Sequence, residues 1–270
     1  MLPFGFRYGR ITVVALLVFV INGGVLNFSV AEAANSPVGQ FDVKYTHSVL
    51  SNDLPSQDVL RLGLVRYLTR SSDVSFSLEQ ASLFNQSDQT LSASYFYYPP
   101  GSIYSFNAGG SFSPSSKIVA RNSAYAGFGV APDGPGYLDF AVFRTDYDTP
   151  VTQSLSATAG WSKRYYQCAY TLSASRISGG SAQLSHTLSY DNYTPSGNRY
   201  SVSLSGGEQP RRLSGNETIT TEFMSVSLSG FRELSTNRNI REGVTYGITA
   251  RSLDNEYDSL GFSLGYQQEF

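Results

Sequence analysis

"LGFSLGYQQEF" occupies residues 260–270, and its parity decides the fold. Leu260, Phe262, Leu264, Tyr266 and Phe270 share one parity. Ser259, Gly261, Ser263, Gly265, Gln267 and Glu269 share the other, and Gln268 interrupts the apolar series. Successive side chains of a strand point to opposite faces, so a period of two gives one greasy face and one wet face. A soluble domain usually finishes on a polar, frayed tail. A strand that ends on an aromatic residue is what a closing strand of a barrel needs.

The same period recurs upstream. Phe41, Val43, Tyr45 and Val49 are in phase within Gly39 to Leu50, as are Leu60, Leu62, Leu64 and Leu68 within Val59 to Thr69. The stretch "RYSVSLS", residues 199–205, sets Tyr200, Val202 and Leu204 against Ser201, Ser203 and Ser205. "FMSVSLSG", residues 223–230, repeats it. Counting such stretches between turn-forming residues predicts about fourteen strands, with twelve as the alternative because Lys117 to Asp146 is irregular. "APDGPG" within that region can only be a turn.

Two features favour a transmembrane β-barrel over a secreted β-sandwich. The strand-like stretches run about 9–12 residues, the length a tilted membrane strand needs and about twice that of a soluble strand. The polar parity holds Ser, Thr, Gly and Gln, which suit a narrow lumen, rather than the Lys and Glu of a soluble surface. Connections are expected to alternate between short and long, with "EQPRRLSGNETITTE" (208–222) a long loop and "SKR" (162–164) a tight turn. Arg66 falls on the apolar parity, where mid-membrane exposure costs ~2–4 kcal/mol, so it belongs near an interface or beside a bulge.

The first residues read differently. Arg7 and Arg10 precede an uncharged apolar run, Ile11 to Ile21, followed by small residues at Ala31 and Ala33. The run is too short for a transmembrane helix and suits a signal-peptide core, so residues 1–33 are expected to be a signal peptide cleaved after Ala33. Residues 34–270 then form one barrel domain.

Composition narrows the functions. The chain has 19 Tyr, 17 Phe and 25 Gly, which favour strands and turns. Its formal net charge is −2 and it lacks a basic patch, so nucleic acid is excluded as a partner. One cysteine, Cys168, allows no intrachain disulfide, and with only His47 and His186 besides, neither a Cys-rich nor a His-rich metal site can be assembled. No cofactor is expected. "SGGS" (178–181) and "LSGG" (204–207) lack the strand–loop–helix setting of a phosphate cradle and read as turns. "THSVLSND" (46–53) invites comparison with barrel enzymes that use a Ser nucleophile and a His base. His47 and Ser48 are adjacent, however, and point to opposite faces. His47 and His186 both share an apolar parity, which puts them on the outer surface. No catalytic residue is assigned. Glu79, Asp139 and Glu222 are the candidate polar residues of the lumen, and the tyrosines of "SYFYYPPG" (94–101) are expected at a membrane interface.

"YTHSVLSND" (45–53), "NSAYAGFGV" (122–130), "MSVSLSGFRELSTNRNIREGVTYGI" (224–248) and the strand to Phe270 together resemble the YaiO-type outer-membrane β-barrel family of Gram-negative bacteria. The resemblance covers the chain beyond its signal segment. It implies an outer-membrane barrel and, through the family's link to exopolysaccharide, a polysaccharide partner; it transfers no catalytic residues. Phe262, Leu264, Tyr266 and Phe270 look like the C-terminal signal read by the outer-membrane assembly machinery. The expectation is a monomer surrounded by outer-membrane lipid, acting as a non-enzymatic narrow channel or an envelope component. The alternative is a lipid-modifying barrel enzyme of the phospholipase or lipid A deacylase type.

Overall fold

The computed structural model describes residues 39–52, 54–83, 86–147, 151–178, 180–212, 218–236, 241–253 and 257–270. The expected signal segment, with Ala31 and Ala33, lies outside them. Fourteen strands follow one another: β1 (Gly39–Leu50), β2 (Gln57–Thr69), β3 (Ser72–Leu83), β4 (Gln86–Tyr97), β5 (Tyr104–Phe112), β6 (Asn122–Val130), β7 (Gly136–Asp146), β8 (Val151–Lys163), β9 (Tyr166–Ile177), β10 (Ala182–Tyr193), β11 (Arg199–Arg212), β12 (Thr218–Thr236), β13 (Arg241–Leu253) and β14 (Tyr257–Glu269). Each pairs antiparallel with its neighbours in sequence, and β14 pairs with β1 to close the barrel. Closure leaves no unpaired strand edge, which a lipid environment demands of every backbone N–H and C=O. The irregular region resolves into β6 and β7 around the "APDGPG" turn.

The two parities take opposite sides of the wall. Tyr45 pairs with Leu60 and Leu264, and His47 with Phe262, so apolar residues meet apolar residues across the strands. Leu264 is 62% exposed and Met224 66%, whereas the buried apolar residues among those described are only Leu50, Ala81 and Phe231. The greasy face is therefore the outside, and the barrel has a polar interior in place of a dry core. Fourteen strands spaced ~4.8 Å apart and tilted ~40° make a backbone cylinder roughly 28 Å across.

Gly39 and Phe270 lie together at one rim, where Gly39 N–H donates to Phe270 O at 2.8 Å and Phe270 N–H to Gly39 O at 3.0 Å. Near this terminal rim the outer face carries Tyr97, Tyr104, Phe106, Phe128, Trp161 and Tyr200, with Tyr104 stacked on Phe128 at 5.5 Å. "SYFYYPPG" divides between surfaces, because Tyr95 and Tyr97 face out while Phe96 faces in. Arg66 pairs with Gly39 and Val74, within a few residues of this rim, so its charge sits at the edge of the apolar band without any change of parity. Gln268, opposite Phe41, lies at the same edge.

The expected alternation of short turns and long loops is corrected. The long loop predicted at 208–222 is mostly hairpin, since β11 runs to Arg212 and β12 starts at Thr218. Backbone pairing continues there after hydrophobic alternation has stopped, because hydrogen bonding does not depend on which face meets lipid. The longest described connection is instead 113–121, between β5 and β6, of which Lys117 to Arg121 was expected to be strand.

Candidate functional site: the barrel lumen

Register assigns the inner wall. On β8–β14 the middle of that wall is almost entirely hydroxyl and glycine: Ser154, Ser156 and Thr158 on β8, Thr171 and Ser173 on β9, Ser185 to Ser189 at alternate positions on β10, Ser201, Ser203 and Ser205 on β11, and Ser225, Ser227 and Ser229 on β12. Facing hydroxyls bond across strands. Ser154 meets Ser175 at 2.9 Å, Thr158 meets Thr171 at 2.8 Å, Thr187 donates to Ser205 at 2.9 Å and Ser227 meets Thr249 at 2.9 Å. A hydroxyl carries one donor and two acceptor positions, so each pair keeps acceptor capacity turned to the lumen.

The wall of β1–β7 also pairs hydroxyls, Ser75 with Ser94 at 2.5 Å and Ser111 with Ser123 at 2.7 Å, but adds charge and bulk. Lys44 stands directly opposite Arg61, and Arg61 directly opposite Glu79. Asp42 lies on the same inner face, opposite Gly63 and diagonal to Arg61, with Lys44 two positions on. Two cations side by side repel, and the Asp42 carboxylate beside them offsets part of that. Gly63 is what lets this carboxylate lie flat, since a Cβ there would stand 2.2 Å from Asp42 Oδ1. Further round, Tyr125 and Phe143 face inward and stack at 5.7 Å. Tyr137 covers Gly160 and its hydroxyl accepts from Gln167 Nε2 at 2.6 Å.

Toward the rim away from the termini, Asp88 on β4 is 1% exposed. Its Oδ2 accepts backbone N–H groups of Lys117, Ile118 and Val119 at 2.7, 2.6 and 3.0 Å. Asp88 is on the inner parity, opposite Ala81, so this carboxylate draws the 113–121 connection onto the inner face at the mouth. Charge-assisted bonds of this kind are about twice as strong as neutral ones.

The sequence candidates divide. Glu79 lies on the inner face between Arg61 and Thr90. Asp139 is also inward, opposite Gly129 and Thr158, with Oδ1 against Gly129. Glu222 is a correction: it shares the outward parity of Met224, Val226 and Leu228, and stands opposite Glu208 where the β11–β12 hairpin leaves the apolar band. Phe262, Leu264 and Tyr266 face outward on β14, and the Phe270 ring rests against Gly39. Asp42, Lys44 and Arg61 were missed, although each sits on the parity opposite to the apolar residues of its own strand. The Asp88 clamp joins residues about thirty positions apart and leaves no local signal.

Both histidines are on the outside. His47 Nδ1 bonds Asp58 Oδ1 at 2.9 Å, and Tyr45 Oη donates to the same oxygen. His186 Nδ1 meets Tyr170 Oη at 2.5 Å. Among the described residues no serine or threonine hydroxyl is bonded to either ring. Nor does any group of three His, Cys, Asp or Glu side chains there come together as a metal site.

This architecture defines a class, the closed transmembrane β-barrel with a lipid-facing exterior and a polar lumen. Solved structures of that class share its fold. A bacterial polysaccharide outer membrane secretin aligns with a TM-score of 0.56 at 9% identity, over 88% of this chain and 100% of that one. The CymD monoaromatic hydrocarbon channel aligns at 0.60 with 7% identity, over 86% and 88%. At such identities the likeness is one of fold. No protein-family model and no curated protein matches the sequence.

Proposed function

We propose that the chain is an integral outer-membrane protein of a Gram-negative bacterium, exported by residues 1–33, and that it works as a non-enzymatic channel for polar solutes. The observation that carries this reading is the inner wall of a closed fourteen-stranded barrel, lined with small hydroxyl side chains and a few charges. Eight-stranded barrels fill with side chains and sixteen-stranded ones hold aqueous channels; fourteen strands with so little side-chain volume fall on the open side. The termini face the periplasm in this reading, and Phe262, Leu264, Tyr266 and Phe270 are the strand face offered to the assembly machinery.

The YaiO-type resemblance favours saccharide as the permeant class. Facing hydroxyls can exchange hydrogen bonds with a sugar, and the Tyr125–Phe143 pair offers it an apolar face. The test is conductance of residues 34–270 refolded into planar bilayers. Stepwise currents, reduced by added oligosaccharide, are expected. A barrel that shifts on boiling in a denaturing gel but passes no current would sink the channel and leave an envelope component. The enzymatic alternative predicts turnover of phospholipid or lipid A that disappears in His47→Ala; none is expected.

A further inference from the structure

The outer wall is not uniformly covered. Between β6 and β9, Ala124, Ala126 and Ala174 stand where neighbouring outward positions carry Phe128, Phe140 and Leu172. These small residues, with Val142 and Leu155, line a cavity of about 580 Å³. Seven of its ten lining residues are on the outward parity, Tyr125, Phe143 and Ser154 being the inward ones, which puts it on the outer wall. Its upper edge, toward the rim away from the termini, carries Arg144 and Gln153, with Arg176 beside Gln153 just outside the lining. Arg144 lies opposite Gln153, and Gln153 opposite Arg176, in one row across β7, β8 and β9.

The two arginines are exposed and about 10 Å apart along that row, as strand spacing requires. Arg176 Nε donates to Gly180 O at 3.0 Å, a bond that engages one nitrogen of the guanidinium fork. Arg144 forms no hydrogen bond or ion pair with a described residue. Asp146 follows two positions on, at the end of β7, on the same outward parity. A cation facing lipid is costly at the midplane and cheap near an interface. A guanidinium fork matches a phosphate in two parallel hydrogen bonds.

We propose that this cavity binds a phosphorylated, acylated lipid of the outer leaflet, with an acyl chain on the alanine floor and its phosphate between Arg144 and Arg176. Two complementarities meet here: an apolar hollow lies in the outer wall, and Arg144 and Arg176 stand on its side nearer the strand ends. The choice of leaflet rests on the outer-membrane reading and its orientation; the chemistry of the site does not depend on whether the lumen conducts.

The experiment is native mass spectrometry of the barrel refolded in detergent, titrated separately with diphosphoryl lipid A, the same lipid with its phosphates removed, and phosphatidylethanolamine. Retained adducts are expected with the diphosphoryl lipid and to fall about tenfold without its phosphates. Arg144→Gln combined with Arg176→Gln should lower the diphosphoryl adduct to the dephosphorylated level, and Ala126→Leu should lower it by filling the floor. Each variant is first checked for the heat-dependent gel shift, so that a misfolded barrel is not scored. Equal adducts with all three lipids, unchanged retention in the double variant, or a second copy of the chain in place of lipid would overturn the proposal. A barrel that retains the lipid but passes no current would refute the channel alone.

Discussion

The two halves of the chain build the same wall with different linings. On β1–β7 the inner face carries Asp42, Lys44, Arg61, Glu79, Asp139 and the Tyr125–Phe143 stack. On β8–β12 its middle is serine and threonine, paired across strands at 2.8–2.9 Å. Antiparallel pairing and an apolar outer face are common to the two halves, although the strands run 9–13 residues in β1–β7 and 12–19 in β8–β14. The difference in lining is set at inward positions, where neither lipid contact nor backbone pairing dictates the residue. One side holds charge and aromatic bulk at mid-wall, and the other offers a mid-wall of hydroxyls and glycine, with Asp191 and Arg251 nearer its two ends.

The strongest way to break this comparison is to invert the charged side. Lys44→Glu with Arg61→Glu should change the relative free energies of anion and cation in the lumen by roughly 2–4 kcal/mol, the scale of Coulomb interaction across water at these separations. The reversal potential in a salt gradient should move toward cations by about thirtyfold or more in permeability ratio. Ser156→Ala with Ser203→Ala should leave it unchanged, and an equal response from both walls would end the distinction. Next in size is Asp88→Asn. It keeps the acceptor oxygen but removes the charge that holds the Lys117, Ile118 and Val119 amides, at ~2 kcal/mol. Proteolysis after Lys117 should speed up in the intact barrel, with noisier single-channel current.

Smaller effects sharpen the picture of the hydroxyl side. Gly160→Ala places a methyl 2.1 Å from Tyr137 Cζ. The ring must leave its bond to Gln167, costing ~1 kcal/mol of barrel stability in urea titration. Ser227→Ala with Thr249→Ala removes one hydroxyl pair and should cost ~0.2–1 kcal/mol by the same titration. A larger loss would mean that the hydroxyl wall is a structural network rather than a lining.

Much of this was legible in the sequence, and the reason is the period. Where lipid faces one side, alternation is enforced, and β1 runs from Gly39 to Leu50 as its pattern predicts. Where lipid contact ends, alternation ends too, and the β11–β12 hairpin from Glu208 to Glu222 read as a loop. The error over Glu222 has a related source. The residue is a lumen candidate by its position at the end of a stretch read as loop, whereas its parity with Met224 and Val226 in the continuous strand β12 places it outside. Lys44 and Arg61 were visible by the rule that gave Glu79, but being neighbours across a strand pair is a fact of register, which a single strand does not contain. The alanine-floored cavity needed four strands side by side.

The seam between β1 and β14 has a consequence for the order of assembly. Thirteen of the fourteen strand pairings join neighbours in sequence, each a hairpin of 25 to 38 residues. The last joins Gln40 to Glu269. Loop closure grows as the logarithm of length, so docking the seam from an open chain costs about 2 kcal/mol more entropy than closing a hairpin. Once the sheet has curled, most of that search is over, and the step becomes a zipping of two edges already held near each other. The slow event in forming this barrel is then expected at one place, and joining residue 270 to residue 39 through a short linker while opening the turn at 164–165 would move it there.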